Sequence, residues 1–331
     1  MKLDRIGWLD MLRGLAAIAV VLYHYHAVFG IPHAGYGFVA VDVFFALSGV
    51  ILALKYAPAI EDGMTLVAFM KSRLQRLYPM VFVAGALCLA LDLAGVDGAN
   101  SSFYVFAVLP QLGTVNSFPA DPPMWSLWAE LVVNILWFLA LKIGRPAVWI
   151  AGACSMVALC FLAAHAGTLN IGWEASPASL ATALLRAMAW FVCGYGVVRL
   201  DLSRPASMRL LLGTLLLAVA AALFLHRQQW ARDMLVAALG VALLPCLLKL
   251  PPPGKTLAAV AQALGLASFP LYLIHTPLLR LLKDSSHPKL TAIVLLVGAT
   301  FVATVINEKL VALLRSRRGK ILSPGVGAAP K

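Results

Sequence analysis

Arg13 and His24 stand eleven positions apart in an otherwise apolar stretch, so an α-helix sets them about 16 Å apart on nearly one face. A guanidinium holds phosphate through paired N–H groups, whereas an imidazole near its ordinary pKa of about 6.5 takes and returns protons. One helix would then carry an anion site below and a base above. Arg73 and Arg76, three apart, share a helical face just before Leu77-Tyr78-Pro79. They can add two guanidiniums to the same site, or simply anchor a helix end. Asp42, Glu130, Arg186 and His275 also sit inside apolar runs, where an ionisable group is costly and faces a cavity or a partner.

The elements that must position these residues follow from composition. Of the 331 residues 62% are hydrophobic and 12% charged, against roughly a quarter charged in soluble domains. Mean hydropathy is +0.89, so lipid is the solvent for much of the chain and a water-soluble globule is excluded. The fold class is all-α, a polytopic membrane protein of about ten helices. A hydrocarbon core about 30 Å thick needs about 20 apolar residues per helix. The spans read as 8–29, 37–56, 77–95, 124–141, 147–166, 179–198, 210–225, 233–249, 257–282 and 290–313. Together 1–315 reads as one transmembrane domain, with 316–331 a basic, Gly- and Pro-containing tail. The run from Phe103 to Val115 is too short to span and reads as an interfacial or re-entrant piece of a 96–123 loop.

The net charge of +12 is a topology signal rather than a nucleic-acid one. Lys2, Arg5, Lys71, Arg73, Arg76, Arg204, Arg209 and the basic tail fall on one side of this map, and only Arg227, Arg232, Lys283 and Lys289 on the other. Enrichment of Lys and Arg in cytoplasmic loops puts both termini in the cytoplasm. Arg13 within the first run, and no small-residue site after His24, argue against a cleaved signal peptide. The five cysteines lack metal or disulfide spacing and read as core thiols; no metal is expected. Trp125, Trp128 and Trp137 read as an interfacial belt or helix packing, with a sugar groove as the alternative.

On this map His24, Asp42, Glu130, Arg186 and His275 all lie five to seven residues from the outer end of their spans. That depth is about 8–11 Å, one polar layer. Either it is a structural ion network or it is a reactive site in which carboxylates orient a histidine base.

At these residues the sequence resembles the integral-membrane acyltransferase 3 family of surface-polysaccharide O-acyltransferases. The likeness runs from Leu9-Asp10-Met11-Leu12-Arg13-Gly14 to Tyr23-His24, then through Val41-Asp42-Val43-Phe44-Phe45-Ala46-Leu47-Ser48-Gly49 and Arg73-Leu74-Gln75-Arg76. It continues with Trp125-Ser126-Leu127 and Glu130, and ends at Tyr272-Leu273-Ile274-His275-Thr276-Pro277. The resemblance implies transfer of an acyl group, usually acetyl, from cytoplasmic acyl-CoA to a hydroxyl on an extracytoplasmic glycan or glycoside. It implies His24 as the catalytic histidine, Arg13, Arg73 and Arg76 as donor-binding arginines, and Asp42, Glu130 and His275 as supporting site residues. His24 can act as a base or carry the acyl group itself. Leu131-Val132-Val133-Asn134 replaces the common continuation after Glu130, and Phe269-Pro270 follows Ser268 where Tyr is common. Both departures blur the acceptor rather than the chemistry. For a bacterial protein the inner membrane is the expected place, because outer-membrane spans would be strands. A proton-coupled transporter built on the same buried groups is the alternative, and a non-catalytic sensor or scaffold a third reading.

Overall fold

The computed structural model describes residues 7–30, 35–96, 101–199, 228–282 and 288–322, with 288–290 and 315–322 described by backbone alone. Helices account for almost all of it, and no strand occurs among the described residues. The long helices are α1 (Gly7–Val28), α2 (Ala40–Glu61, entered through a 3-10 turn at Gly37–Val39) and α3 (Leu66–Leu93). A short α4 (Ser102–Ala107) precedes α5 (Met124–Ile143), α6 (Arg145–Ala166) and α7 (Pro177–Arg199). The last three are α8 (Gln229–Lys249), α9 (Lys255–Leu282) and α10 (Pro288–Leu322). Nine helices among the described residues are long and apolar enough to cross a membrane, matching nine of the ten expected spans; the expected span at 210–225 lies outside the described residues.

α3 departs most from the expected boundaries. It starts at Leu66, eleven residues before the expected 77, because Thr65 caps it by accepting from the Ala68 amide at 3.2 Å. Lys71, Arg73 and Arg76 hide this first half from a hydropathy window. Proline does not stop the helix at Pro79, since neighbouring helices tolerate such breaks inside a bundle. The run from Phe103 to Val115 is not one piece: α4 ends where Val108 turns left-handed at φ 51°.

Bare backbone brings the helices together. Gly14 of α1 lies against Leu264 of α9, and Gly265 of α9 against Asp10; a side chain at either position would meet its neighbour at 2.5–2.6 Å. Gly49 of α2 and Gly194 of α7 make a second crossing against the backbones at Phe191 and Ala46. Where hydrocarbon surrounds the bundle, such close approach replaces the hydrophobic drive of water. Leu15, Phe82, Ile143 and Phe161 point outward, and so do Cys154 and Cys246, leaving only Cys88 of the expected core thiols fully buried. Apolar side chains have no preference for the interior when lipid is equally apolar. Trp125 and Trp137 are buried, and Trp137 packs against Phe191 and Tyr195; they serve helix packing rather than a surface belt.

At the end where α1 finishes, two connectors are tied into one cover. Ser117 donates through its amide and hydroxyl to the Trp173 carbonyl. Asp121 accepts from Thr276 of α9 at 2.7 Å, and Arg280 donates to the Pro119 carbonyl. Asn170 reaches the Tyr23 hydroxyl at 3.0 Å, beside His24.

Candidate active site

The Gly14/Gly265 crossing sets α1 directly on α9, and about three turns further on it brings His24 against His275. Their Nδ1 and Nε2 atoms are 3.1 Å apart. Each ring also rests its own Nδ1 on the carbonyl four residues earlier, Val20 for His24 and Leu271 for His275, both at 3.1 Å. A carbonyl oxygen only accepts, so each Nδ1 carries the hydrogen. His24 therefore donates from Nδ1 to both Val20 and the bare His275 Nε2. Its own Nε2 is left with a lone pair, the form a general base needs. His275 is fully buried and His24 only partly so.

Asp42 and Arg186 form a closed pair. Arg186 gives Nε and Nη2 to the two carboxylate oxygens at 2.7 and 2.8 Å, and its remaining N–H groups reach the Ile171 and Phe38 carbonyls. Both side chains are within 1% of full burial, and the guanidinium lies over the Trp125 ring at 5.4 Å.

Glu130 sits elsewhere. Its Oε1 accepts from Arg73 at 2.7 Å and from the Ser48 hydroxyl at 2.7 Å. Asn134, with its amide oxygen turned toward the guanidinium, accepts from Arg73 Nε at 3.3 Å. The single layer expected from depth thus divides into three pairs, His24 with His275, Asp42 with Arg186, and Glu130 with an arginine expected near the opposite face. The early start of α3 explains the last pairing: it places Arg73 seven residues, about 10 Å, inside the helix.

A cavity of about 550 Å³ opens beside the Glu130–Arg73 pair, within the usual range for ligand sites. Arg13, Arg73, Arg76 and Glu130 all line it, so the structure brings the three expected donor arginines together. Asp10, 3.7 Å from Arg13, and Lys55 lie on its wall near the beginning of α1 and the end of α2. Ser126, Phe44 and Tyr272 close the far end. There Tyr272 shares a 2.7 Å hydrogen bond with Ser126, packs on Phe44 and lies 6.0 Å, ring to ring, from His275. His24, His275 and Asp42 do not line the cavity; one aromatic layer separates the histidine pair from it. Sequence reasoning missed Lys55, Asn307 and Glu308 on the same wall, although the rule that selected Asp42, polarity within an apolar run, applies equally to them. Among the described residues no group of three or more His, Cys, Asp or Glu could hold a metal ion.

A family model described as an acyltransferase domain matches residues 6–308. A Rhizobium radiobacter protein known as protein 2 in the picA locus is 35% identical over 156 residues, 40% of this chain and 81% of that relative. A Bacillus subtilis (strain 168) protein named for peptidoglycan O-acetyl transfer, YrhL, is 28% identical over 176 residues, 47% of this chain. The chain covers 27% of that relative's length. No solved structure matches the chain.

Proposed function

The chain belongs to the acyltransferase domain family, and from that membership we propose that it moves an acyl group from cytoplasmic acyl-CoA to a hydroxyl of an extracytoplasmic carbohydrate. The simplest group is acetyl, as the name of the Bacillus subtilis relative suggests. One observation carries the reading: a single cavity gathers Arg13, Arg73 and Arg76 and ends at Tyr272, against the histidine pair. Guanidiniums suit the phosphates of a CoA bound from the side that carries most of the chain's Lys and Arg. On this reading both termini are cytoplasmic and the connector cover faces outward, toward the acceptor. A bacterial inner membrane is the setting.

His24 Nε2 takes the proton of the acceptor hydroxyl as its oxygen bonds to the thioester carbon. The C–S bond breaks and the proton passes from the imidazolium to the CoA sulfur, so no further reactant is consumed. His275 orients the His24 ring through the shared Nδ1 hydrogen. Glu130 holds Arg73 in place, and Asp42 locks α2 to α7 beneath Trp125. The partition of Tyr272 and Phe44 is where the acyl end of the donor passes toward His24.

Labelled acetyl-CoA binding and acetyl transfer to membrane glycans test the assignment together. His24→Ala lowers transfer roughly 100- to 10,000-fold while binding stays as in the parent. The double change Arg73→Gln/Arg76→Gln weakens binding. Transfer by His24→Ala at near-parent rate overturns the base assignment and moves it to His275. No saturable binding to folded parent protein overturns the acyl-CoA reading.

A further inference from the structure

Asn307 of α10 lines the cationic cavity. It is only 8% exposed, its Oδ1 is buried without a partner, and its side chain makes no hydrogen bond with any described residue. Its polar neighbours on the wall are engaged: Ser48 and Arg73 by Glu130, Ser126 by Tyr272, and Ser268 by the Gly265 carbonyl. Buried amides almost always find partners, because a group taken from water without replacement costs stability. An unpaired one on the wall of a ligand-sized cavity marks a place kept for a ligand.

The chemistry of the vacant partner can be read from the amide. Oδ1 needs an N–H or O–H donor and Nδ2 an acceptor, a complementary set that an amide supplies and that a phosphate at neutral pH and an acyl chain both lack. A CoA thioester offers N–H groups in the two amides of its pantetheine arm and in the adenine amino group. Asn307 lies seven residues, about 10 Å, inside the spanning stretch that ends at Leu314, a depth matching that of Arg13 in α1. Beyond that level the cavity continues to Ser126 and Tyr272, and only the pantetheine arm runs from the phosphates toward the thioester.

Building on the acyl-CoA reading above, we infer that Asn307 is a positioning residue that pairs with an amide of the donor's pantetheine arm. Oδ1 accepts the N–H of that amide, and Nδ2 donates to the carbonyl oxygen of the arm's other amide, since a trans amide points its own N–H and C=O in opposite directions. The contact sets how far the arm extends past the arginines, and hence where the thioester stops.

The test compares the parent with Asn307→Leu, close in size and without polar atoms, in detergent-purified full-length protein. Thermal melting is measured on the empty proteins. Displacement of labelled acetyl-CoA is then measured with three competitors: CoA, 4'-phosphopantetheine, and 3',5'-ADP, which lacks the arm. The variant melts at the parent's temperature or above, since it removes an unpaired buried amide. Its affinity for CoA and for 4'-phosphopantetheine falls roughly three- to tenfold, about one neutral hydrogen bond or two, while 3',5'-ADP binds equally to both proteins. Unchanged 4'-phosphopantetheine affinity overturns the inference alone. Weakened 3',5'-ADP with unchanged 4'-phosphopantetheine also overturns it and assigns Asn307 to the adenine. A lower melting temperature with all three competitors equally weakened makes Asn307 structural. If the parent binds none of the three, the acyl-CoA reading fails and this inference with it.

Discussion

The pairs Asp42–Arg186 and Glu130–Arg73 have the same charges and the same 2.7 Å approach, and their surroundings give them different work. Around Asp42 every carboxylate oxygen meets the guanidinium and the spare N–H groups meet backbone carbonyls. No hydrogen-bonding group there is left open, and the pair ties α2, α7 and the neighbouring connector together. Glu130 stacks both of its hydrogen bonds on Oε1, its side chain is 22% exposed, and both members line the cavity. On the proposed function the open pair, beside a space a ligand can enter, is the one placed to act on the donor.

Breaking the closed pair has the largest effect. Arg186→Met strands a fully buried carboxylate, a loss of about 3–5 kcal/mol, and folded protein should disappear from size-exclusion chromatography in detergent. Asp42→Leu/Arg186→Met removes both charges and should recover much of it. If Arg186→Met stays folded and loses only donor binding, the distinction between the pairs collapses. The open pair responds differently. Glu130→Gln keeps shape but takes away the charge that holds Arg73, so the protein should elute as the parent does while transfer falls roughly 10- to 100-fold. A loss of folded protein there would make the two pairs equivalent.

Asp121 sharpens the comparison from a third side, as a buried carboxyl in the connector cover whose Oδ1 takes the Thr276 hydroxyl and whose Oδ2 has no partner. Burial pushes its pKa up to about 7, against the smaller opposing pulls of the Thr276 hydrogen bond and the Arg280 charge. Between about pH 4 and pH 7 the folded protein keeps a proton that the unfolded chain releases, so stability falls as pH rises through that window and levels off above it. The melting temperature of the parent should therefore drop relative to Asp121→Asn between about pH 4 and pH 7. A constant difference between the two proteins would show that the carboxyl does not titrate in the cover.

The spans were legible because a hydropathy window needs only one segment at a time. The α3 boundary was not, since Arg73 and Arg76 inside an apolar helix look like a helix end until a cavity is there to receive them. His24 and Arg13 were legible as a pair because one helix carries both. That His24 meets His275, and that Glu130 meets Arg73 rather than Arg186, was beyond any spacing rule. Asn307 drew no notice because a neutral amide in an apolar run is a weaker signal than a charge, and its unpaired Oδ1 is visible only in the folded chain.

From the sequence alone came the membrane class, nine of the spans, the arginines and histidines proposed for the site, and the family resemblance that the comparisons established. Each of these is a property of local composition or of a motif within one helix. Tertiary structure decided the partners: which carboxylate each arginine meets, which His24 nitrogen stays bare, and which polar atoms the cavity leaves waiting. Such choices depend on how closely and at what level two distant helices cross. Here the bare backbones at Gly14, Gly49, Gly194 and Gly265 set that approach, and no single segment encodes it.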